Sequence, residues 1–266
     1  MNVLTDRNCR PVIGHRGNRA HAPENTIESF AQAVAAGADA LEFDVRLSAD
    51  GIPVVIHDPH VRRTTDGAGD VARMTFAELR ALDAGARFTP DGGKSFPYRG
   101  QGHRIPSLDE VLEAFPSIPV LIEIKIPEAA AAVRRAVEAR HAEERTLVDS
   151  LDPAGLHIFS DSPIAVGASG KDVKRAMIEI LLRRPLTPFA FDALCITPNY
   201  YGLPLPVRQF ARVAPSQNCV VHVWTVNDPQ EATDLWLSGV NGIISDEPAL
   251  MLRARALLPR AAATRG

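Results

Sequence analysis

Cysteine is scarce: Cys9, Cys195 and Cys219 are three in 266 residues, an odd number without CxxC or Cys/His spacing. That argues against a disulfide framework and against a structural zinc site, and it fits a reducing compartment. An excess of one charge is also lacking. Lys+Arg 29 against Asp+Glu 32 leaves a formal net charge of −3, so no overall positive field recruits nucleic acid or an anionic membrane, and no nucleic-acid partner is expected. No run approaches the roughly 18 apolar residues of a membrane span, so no transmembrane segment is expected. The start MNVLTDRNCRPVIGHRG lacks the apolar centre of a secretory signal, which places a full-length chain in the cytoplasm. Repeats of fixed period and low-complexity linkers are missing too, which favours one domain over residues 1–266 with a core over about 11–254. With 45% hydrophobic and 23% charged residues, disordered and collagen-like classes are excluded and a real core is affordable.

What is present is alternation. About eight short apolar runs read as strands: Val12-Ile13, Ala40 to Val45, Val120 to Ile124, Thr146 to Val148, Ile164 to Val166, Ala193 to Ile196, Val220 to Trp224 and Gly242 to Ile244. Helical periodicity separates most of them. Ile27, Phe30, Ala31 and Val34 mark one helix face after an Asn25/Glu28 start, Ser107 and Glu110 form a capping box, and Pro127 and Pro229 suit first helical turns. Eight strands alternating with helices, and no GxGxxG after the first strand, predict an α/β fold of the (β/α)₈ TIM-barrel type rather than a doubly wound sheet. An insertion over about 53–106 follows the second strand, with an extended piece at Pro53 to His57 and an aperiodic stretch, Ala86 to Arg104, expected to be a substrate rim or a plain surface loop. The tail from Arg253 to Gly266 is expected to fray or to end a last helix.

In Leu41-Glu42-Phe43-Asp44-Val45 the two acids alternate on a strand and so share one face, about 7 Å apart. Leu121-Ile122-Glu123-Ile124-Lys125 repeats the pattern with a third acid and a cation. Three carboxylates inside a covered strand layer repel one another unless a cation neutralises them. An all-oxygen set without sulfur suits Mg²⁺ or Ca²⁺ better than Zn²⁺, with Mn²⁺ a third option. His15 and His57 both fall at strand ends, where a pair flanking a metal divides the work of base and acid. Residue type alone does not assign which is which; His15 is preferred as base. Arg16 and Lys125 are placed to hold phosphate oxygens as charge builds.

These residues stand within an ordered set: His15-Arg16-Gly17, Pro23-Glu24-Asn25-Thr26, Glu42-Phe43-Asp44-Val45, Val55-Ile56-His57-Asp58-Pro59, Thr64-Thr65-Asp66-Gly67, Ile105-Pro106-Ser107-Leu108, Glu123-Ile124-Lys125, Trp224-Thr225-Val226-Asn227 and Gly242-Ile243-Ile244-Ser245-Asp246. From Val12 to Pro248 the set resembles the glycerophosphodiester phosphodiesterase family of metal-dependent (β/α)₈ barrels. The resemblance implies that Glu42, Asp44 and Glu123 ligate one divalent cation, that His15 and His57 are the catalytic pair, and that Arg16 and Lys125 contact phosphate. It further implies that Trp224 is an aromatic wall for substrate and that Glu24 supports the site from behind. The implied activity is metal-dependent hydrolysis of a glycerophosphodiester to glycerol 3-phosphate and an alcohol. The stretch Gly167-Ala168-Ser169-Gly170-Lys171, with Phe191-Asp192-Ala193-Leu194, is closer to members that act on lysophospholipids with a phospholipase D outcome. A catalytically silent phosphodiester-binding barrel and an enediolate-forming metal barrel are the other readings, the latter opposed by the HRG and PENT blocks. Leu203, Leu205 and Phe210 offer apolar surface for a homodimer, a lipid entry or a packed loop.

Overall fold

In the computed structural model, which describes residues 2–200 and 202–259, every apolar run singled out above becomes a strand. The elements in chain order are β1 (Val12–His15), α1 (Ile27–Ala35), β2 (Ala40–Leu47), β3 (Pro53–Val55), α2 (Phe76–Ala81), α3 (Leu108–Ala114), β4 (Val120–Ile124), α4 (Ala130–Ala139), β5 (Thr146–Asp149), β6 (Ala165–Val166), α5 (Gly170–Leu181), β7 (Ala193–Ile196), β8 (Asn199–Tyr200), β9 (Leu203–Pro204), α6 (Val207–Val213), β10 (Val220–Val223), α7 (Pro229–Leu237), β11 (Gly242–Ser245) and α8 (Pro248–Ala256). Eight parallel strands run in the order β6-β5-β4-β2-β1-β11-β10-β7. A parallel bridge from Gly167 to Ala193 joins the two ends, so the sheet curls into a (β/α)₈ barrel.

Alternation along the strands sorts side chains to two sides of the barrel wall. Leu41, Phe43, Val45, Ile122, Ile124 and Val148 face outward and pack under the helices with Phe30, Val111 and Val133. Ile13, Ala40, Leu121, Leu147, Ala193, Val220 and Ile244 face inward and close the barrel's lower end together with Leu4. His222 is fully buried there, its Nε2 2.8 Å from the Leu4 carbonyl. Burial depresses its pKa to about 4, so the ring is neutral.

Caps fix most helix starts. Ser107 and Glu110 make the reciprocal box at α3, Thr75 and Glu78 do so at α2, and Ser169 and Asp172 at α5. Helix α1 departs from the sequence reading. Its cap is Thr26, whose hydroxyl accepts from the Ser29 N–H, and its buried face is Ser29, Phe30 and Ala33, while Ile27 and Ala31 are exposed. The rotation has a local cause: the Ser29 hydroxyl donates to the Arg16 carbonyl at 3.0 Å, which draws the small-residue side of the helix against the loop after β1. A side chain on Gly17 would come within 2.4 Å of that hydroxyl, and Gly17 sits at φ 91°, so only glycine allows this seat.

Residues 53–106 are folded. β3 pairs antiparallel with β2, and Val54, Ile56, Val61, Val71, Leu79, Ala84 and Ile105 form a small core of their own. The stretch expected to be either a rim or a loose loop is tied down: the Tyr98 hydroxyl accepts from Gln32 on α1, and its ring packs on Phe88 and His103. Phe210, read as exposed, is fully buried in the core beneath α6, because α6 packs on β10. Leu205 is half-buried against the same cluster, and the side chain of Leu203 and residues 260–266 lie outside the described residues. Among the described residues, no helix is long and apolar enough to cross a membrane.

Candidate active site

The strand register brings the sequence-selected side chains together at the carboxyl ends of the strands. His15 on β1 stands opposite Glu42 on β2, and Asp44 stands opposite Glu123 on β4. Oxygens of Glu42, Asp44 and Glu123 lie within 4.8 Å of one another. Together with His15, Arg16, His57, Lys125 and Trp224, Glu42 and Glu123 line a cavity of about 340 Å³. Residues 86–104 are not among its walls; Arg87, Phe88 and Thr89 line a neighbouring hollow with Glu24 and Arg63, and Tyr98 is held against α1.

Charge is unevenly balanced in this cluster. The Lys125 ammonium lies 2.9 Å from Asp44 Oδ1 and 2.7 Å from Glu123 Oε1, and the Arg16 Nε lies 3.0 Å from Asp44 Oδ2. Burial alone would raise Asp44, but Arg16 and Lys125 prevail and hold it at about 2. Glu42 goes the other way: burial, then the negative charge of Asp44, push it well above the usual carboxylate range. Two cations therefore do not satisfy three acids, of which Glu42 and Asp44 are buried and Glu123 is half-buried. Asn25 adds to the shortfall. Its Nδ2 donates to Asp44 Oδ2 at 2.9 Å, while its own Oδ1 is buried with no donor. An all-oxygen set with surplus negative charge fits a hard divalent cation held by Glu42, Asp44 and Glu123.

Both histidines are oriented by carboxylates. His15 Nδ1 is 2.6 Å from Asp246 Oδ1, and His57 Nδ1 is 2.6 Å from Asp58 Oδ1. A carboxylate only accepts, so each Nδ1 carries the hydrogen and each Nε2 is free to exchange a proton. His15 Nε2 lies 4.0 Å from Glu42 Oε2. Burial pulls His57 below the usual histidine range, against the opposing field of Asp44.

Arg16 is fixed at both ends. Its backbone N–H donates to the Glu42 carbonyl at 2.8 Å, its φ of 54° turns the guanidinium inward, and its Nη1 meets Glu24 Oε1 at 2.8 Å. Glu24 also receives Arg63 at 2.7 Å through each oxygen, and Arg63 in turn holds Asp58 at 2.6 Å. Glu24 thus stands behind Arg16 and links it to the His57–Asp58 pair. Trp224 lies in the cavity wall with its Nε1 donating to the Cys195 carbonyl.

Several participants were not legible as such. Asn25 was read as a helix cap, yet it is the Asp44 partner with φ 58°. Asp246 and Asp58 lay inside quoted motifs without a role. Asp149 was passed over; it sits beside Glu123 in the register and lines the cavity, and burial followed by the Glu123 charge pushes it up to about 8. Its position two residues after an inward-facing leucine, at the carboxyl end of a barrel strand, was the available signal.

The chain resembles known sequences and solved structures over nearly its whole length. The model of the glycerophosphoryl diester phosphodiesterase family matches residues 15–166 and 176–250. A glycerophosphodiester phosphodiesterase of Caldanaerobacter subterraneus subsp. tengcongensis is 31% identical over 257 residues, covering 91% of this chain and 96% of the relative. The crystal structure of a glycerophosphoryl diester phosphodiesterase from Silicibacter pomeroyi, itself assigned only provisionally, superposes with a TM-score of 0.76 at 29% identity, covering 95% of each chain. An Oleispira antarctica phosphodiesterase in complex with the product sn-glycerol-3-phosphate superposes with a TM-score of 0.74 at 27% identity, covering 94% of this chain and 98% of that one.

Proposed function

Because the chain belongs to the glycerophosphoryl diester phosphodiesterase family, we propose that its barrel hydrolyses glycerophosphodiesters to sn-glycerol 3-phosphate and an alcohol. The observation that carries this reading is the convergence of His15, Glu42, Asp44, His57, Glu123 and Lys125 at one end of one cavity. Bound among Glu42, Asp44 and Glu123, a divalent cation such as Mg²⁺ or Ca²⁺ would supply Lewis-acid polarisation of the phosphoryl group.

The side chains divide the remaining work. Lys125 and Arg16 present donors that exchange a carboxylate contact for a nonbridging phosphate oxygen, and these contacts strengthen as negative charge shifts onto the phosphate. One imidazole takes a proton at Nε2 from the attacking hydroxyl, and the other gives a proton from Nε2 to the departing alcohol oxygen. Asp246 and Asp58 keep both rings in the tautomer that makes this exchange available. Glu24 holds Arg16 in place, and Trp224 forms a wall for the organic part of the substrate.

A second reading, release of the headgroup from a lysophospholipid, is favoured by the apolar side of the same cavity, where Leu121, Leu151, Ala168 and Val173 join Trp224. Turnover of glycerophosphocholine beside lysophosphatidylcholine, each with Mg²⁺, with Ca²⁺ and with a chelator, separates the two. The expected result is glycerol 3-phosphate released only with metal, and a loss of about 10²- to 10⁴-fold in His15→Ala or His57→Ala with the fold retained. Choline released only from the acylated substrate would assign the second reading. No turnover of either would make the barrel a binding protein.

A further inference from the structure

Helix α5 has an outward face that the fold does not use. Its inward side is Ala176, buried, with Val173, Met177 and Ile180 half-buried against the core. Ile178, Leu181 and Leu182 point the other way and are 40%, 60% and 58% exposed. Lys171, Lys174 and Arg175 precede them at helical spacing on the same face, so one stripe is cationic in its first half and apolar in its second. Arg183 and Arg184, both exposed, follow at once. Of the two acids of the stretch, Asp172 closes the Ser169 capping box and pairs with Arg175 at 3.3 Å, while Glu179 accepts from the N–H and hydroxyl of Thr187 at 3.0 and 2.7 Å; Lys171, Lys174, Arg183 and Arg184 carry the rest of the positive charge.

We propose that this face of α5 docks on an anionic lipid bilayer, the leucines entering the boundary between headgroups and acyl chains while the flanking cations meet lipid phosphates. The whole-chain charge of −3 gives no such attraction, so the cations matter through their concentration on one face. That same arrangement opposes the alternative of a second copy of this chain: a two-fold contact through α5 would set the cationic half of each helix either against its twin or against the partner's apolar half, and neither pairing neutralises the charge. The helix also begins beside the cavity. Val173 lines it, and the Gly170 N–H at the first turn bonds the carbonyl of Leu151, another lining residue that is 56% exposed. Docking along α5 therefore sets the cavity mouth at the edge of the lipid surface. The link to substrate supply rests on the hydrolase reading; the docking itself does not.

Flotation of the full chain with vesicles of phosphatidylcholine alone, and of phosphatidylcholine containing phosphatidylglycerol, tests the proposal without any turnover measurement. Binding to the anionic vesicles only, weakened by salt, is expected. Partitioning should fall about tenfold in the double variant Leu181→Ser/Leu182→Ser and by a similar factor in Lys171→Glu/Lys174→Glu. An unchanged unfolding midpoint in both variants shows that the fold is not the cause. Equal binding to neutral vesicles, absence of binding at low salt, or undiminished binding by both variants would overturn it. So would a concentration-dependent dimer of the parent chain that the leucine variant abolishes, since the face would then serve self-association.

Discussion

The two ends of the barrel interior are built by the same strands, one alternation step apart, and they hold opposite chemistry. Ile13, Ala40, Leu121 and Leu147 form the floor; two residues further along the same strands stand His15, Glu42, Glu123 and Asp149. The apolar layer gives the charged layer a low-dielectric base, which is why Glu42 and Asp149 are driven upward in pKa rather than relieved by water. A histidine occurs at each level. His15 is oriented by a carboxylate beside the acidic cluster, whereas His222 is oriented by the Leu4 carbonyl among aliphatic side chains. Residue type is the same, and the neighbour of the ring differs: a carboxylate for His15 and a backbone carbonyl for His222.

Raising the floor by one step is the strongest way to break this contrast. Glu123→Leu copies Leu121 into the upper layer; turnover should fall by about 10³-fold or more, and Mg²⁺ binding measured by calorimetry should weaken in parallel. Retained metal affinity in that variant would remove Glu123 from the cation site. A smaller effect comes from blurring the two histidines. Asp246→Asn replaces the obligate acceptor of His15 with a side chain that can flip, and turnover should drop about 10- to 100-fold with little change in the unfolding midpoint. Full activity would mean that the His15 tautomer is set by something else. The smallest effect lies at the floor. With the folded-state pKa of His222 near 4 against 6.5 for a free ring, the unfolded chain takes up the proton first, so stability is lost as pH falls from about 6.5 to about 4. The slope from this one group is at most about 1.4 kcal/mol per pH unit. His222→Gln keeps a donor for Leu4 and removes the titration, so urea midpoints for the variant should decline less steeply over that window; identical slopes would show that other groups carry the acid sensitivity.

The eight strands were legible because strands covered on both faces stand out as short apolar runs, and the shared face of Glu42, Asp44, Glu123 and Lys125 because it follows from a period of two. Partners across long chain separations were not. Asp246 lies 231 residues from His15, and no local pattern distinguishes an acid that fixes a ring from one that faces solvent. Asn25 misled for a physical reason: asparagine is a good helix cap and also tolerates positive φ, and here the second property is used while Thr26 takes the first. The face of α1 was misjudged because Ser29 is polar yet buried, held inward by the Arg16 carbonyl. Phe210 was misjudged because the packing of a short helix against β10 has no signature in the intervening loop.

The Leu4 contact with His222 fixes where the chain's first described residues leave the barrel: at its closed end, opposite the cavity mouth. A tether attached ahead of Asn2 consequently emerges away from the carboxylates and histidines, so molecules anchored to a chip or bead through that end present their openings outward. The same anchorage means that trimming residues as far as Leu4 exposes the neutral imidazole to solvent, and the N-terminal segment is better lengthened than shortened when fusions are designed.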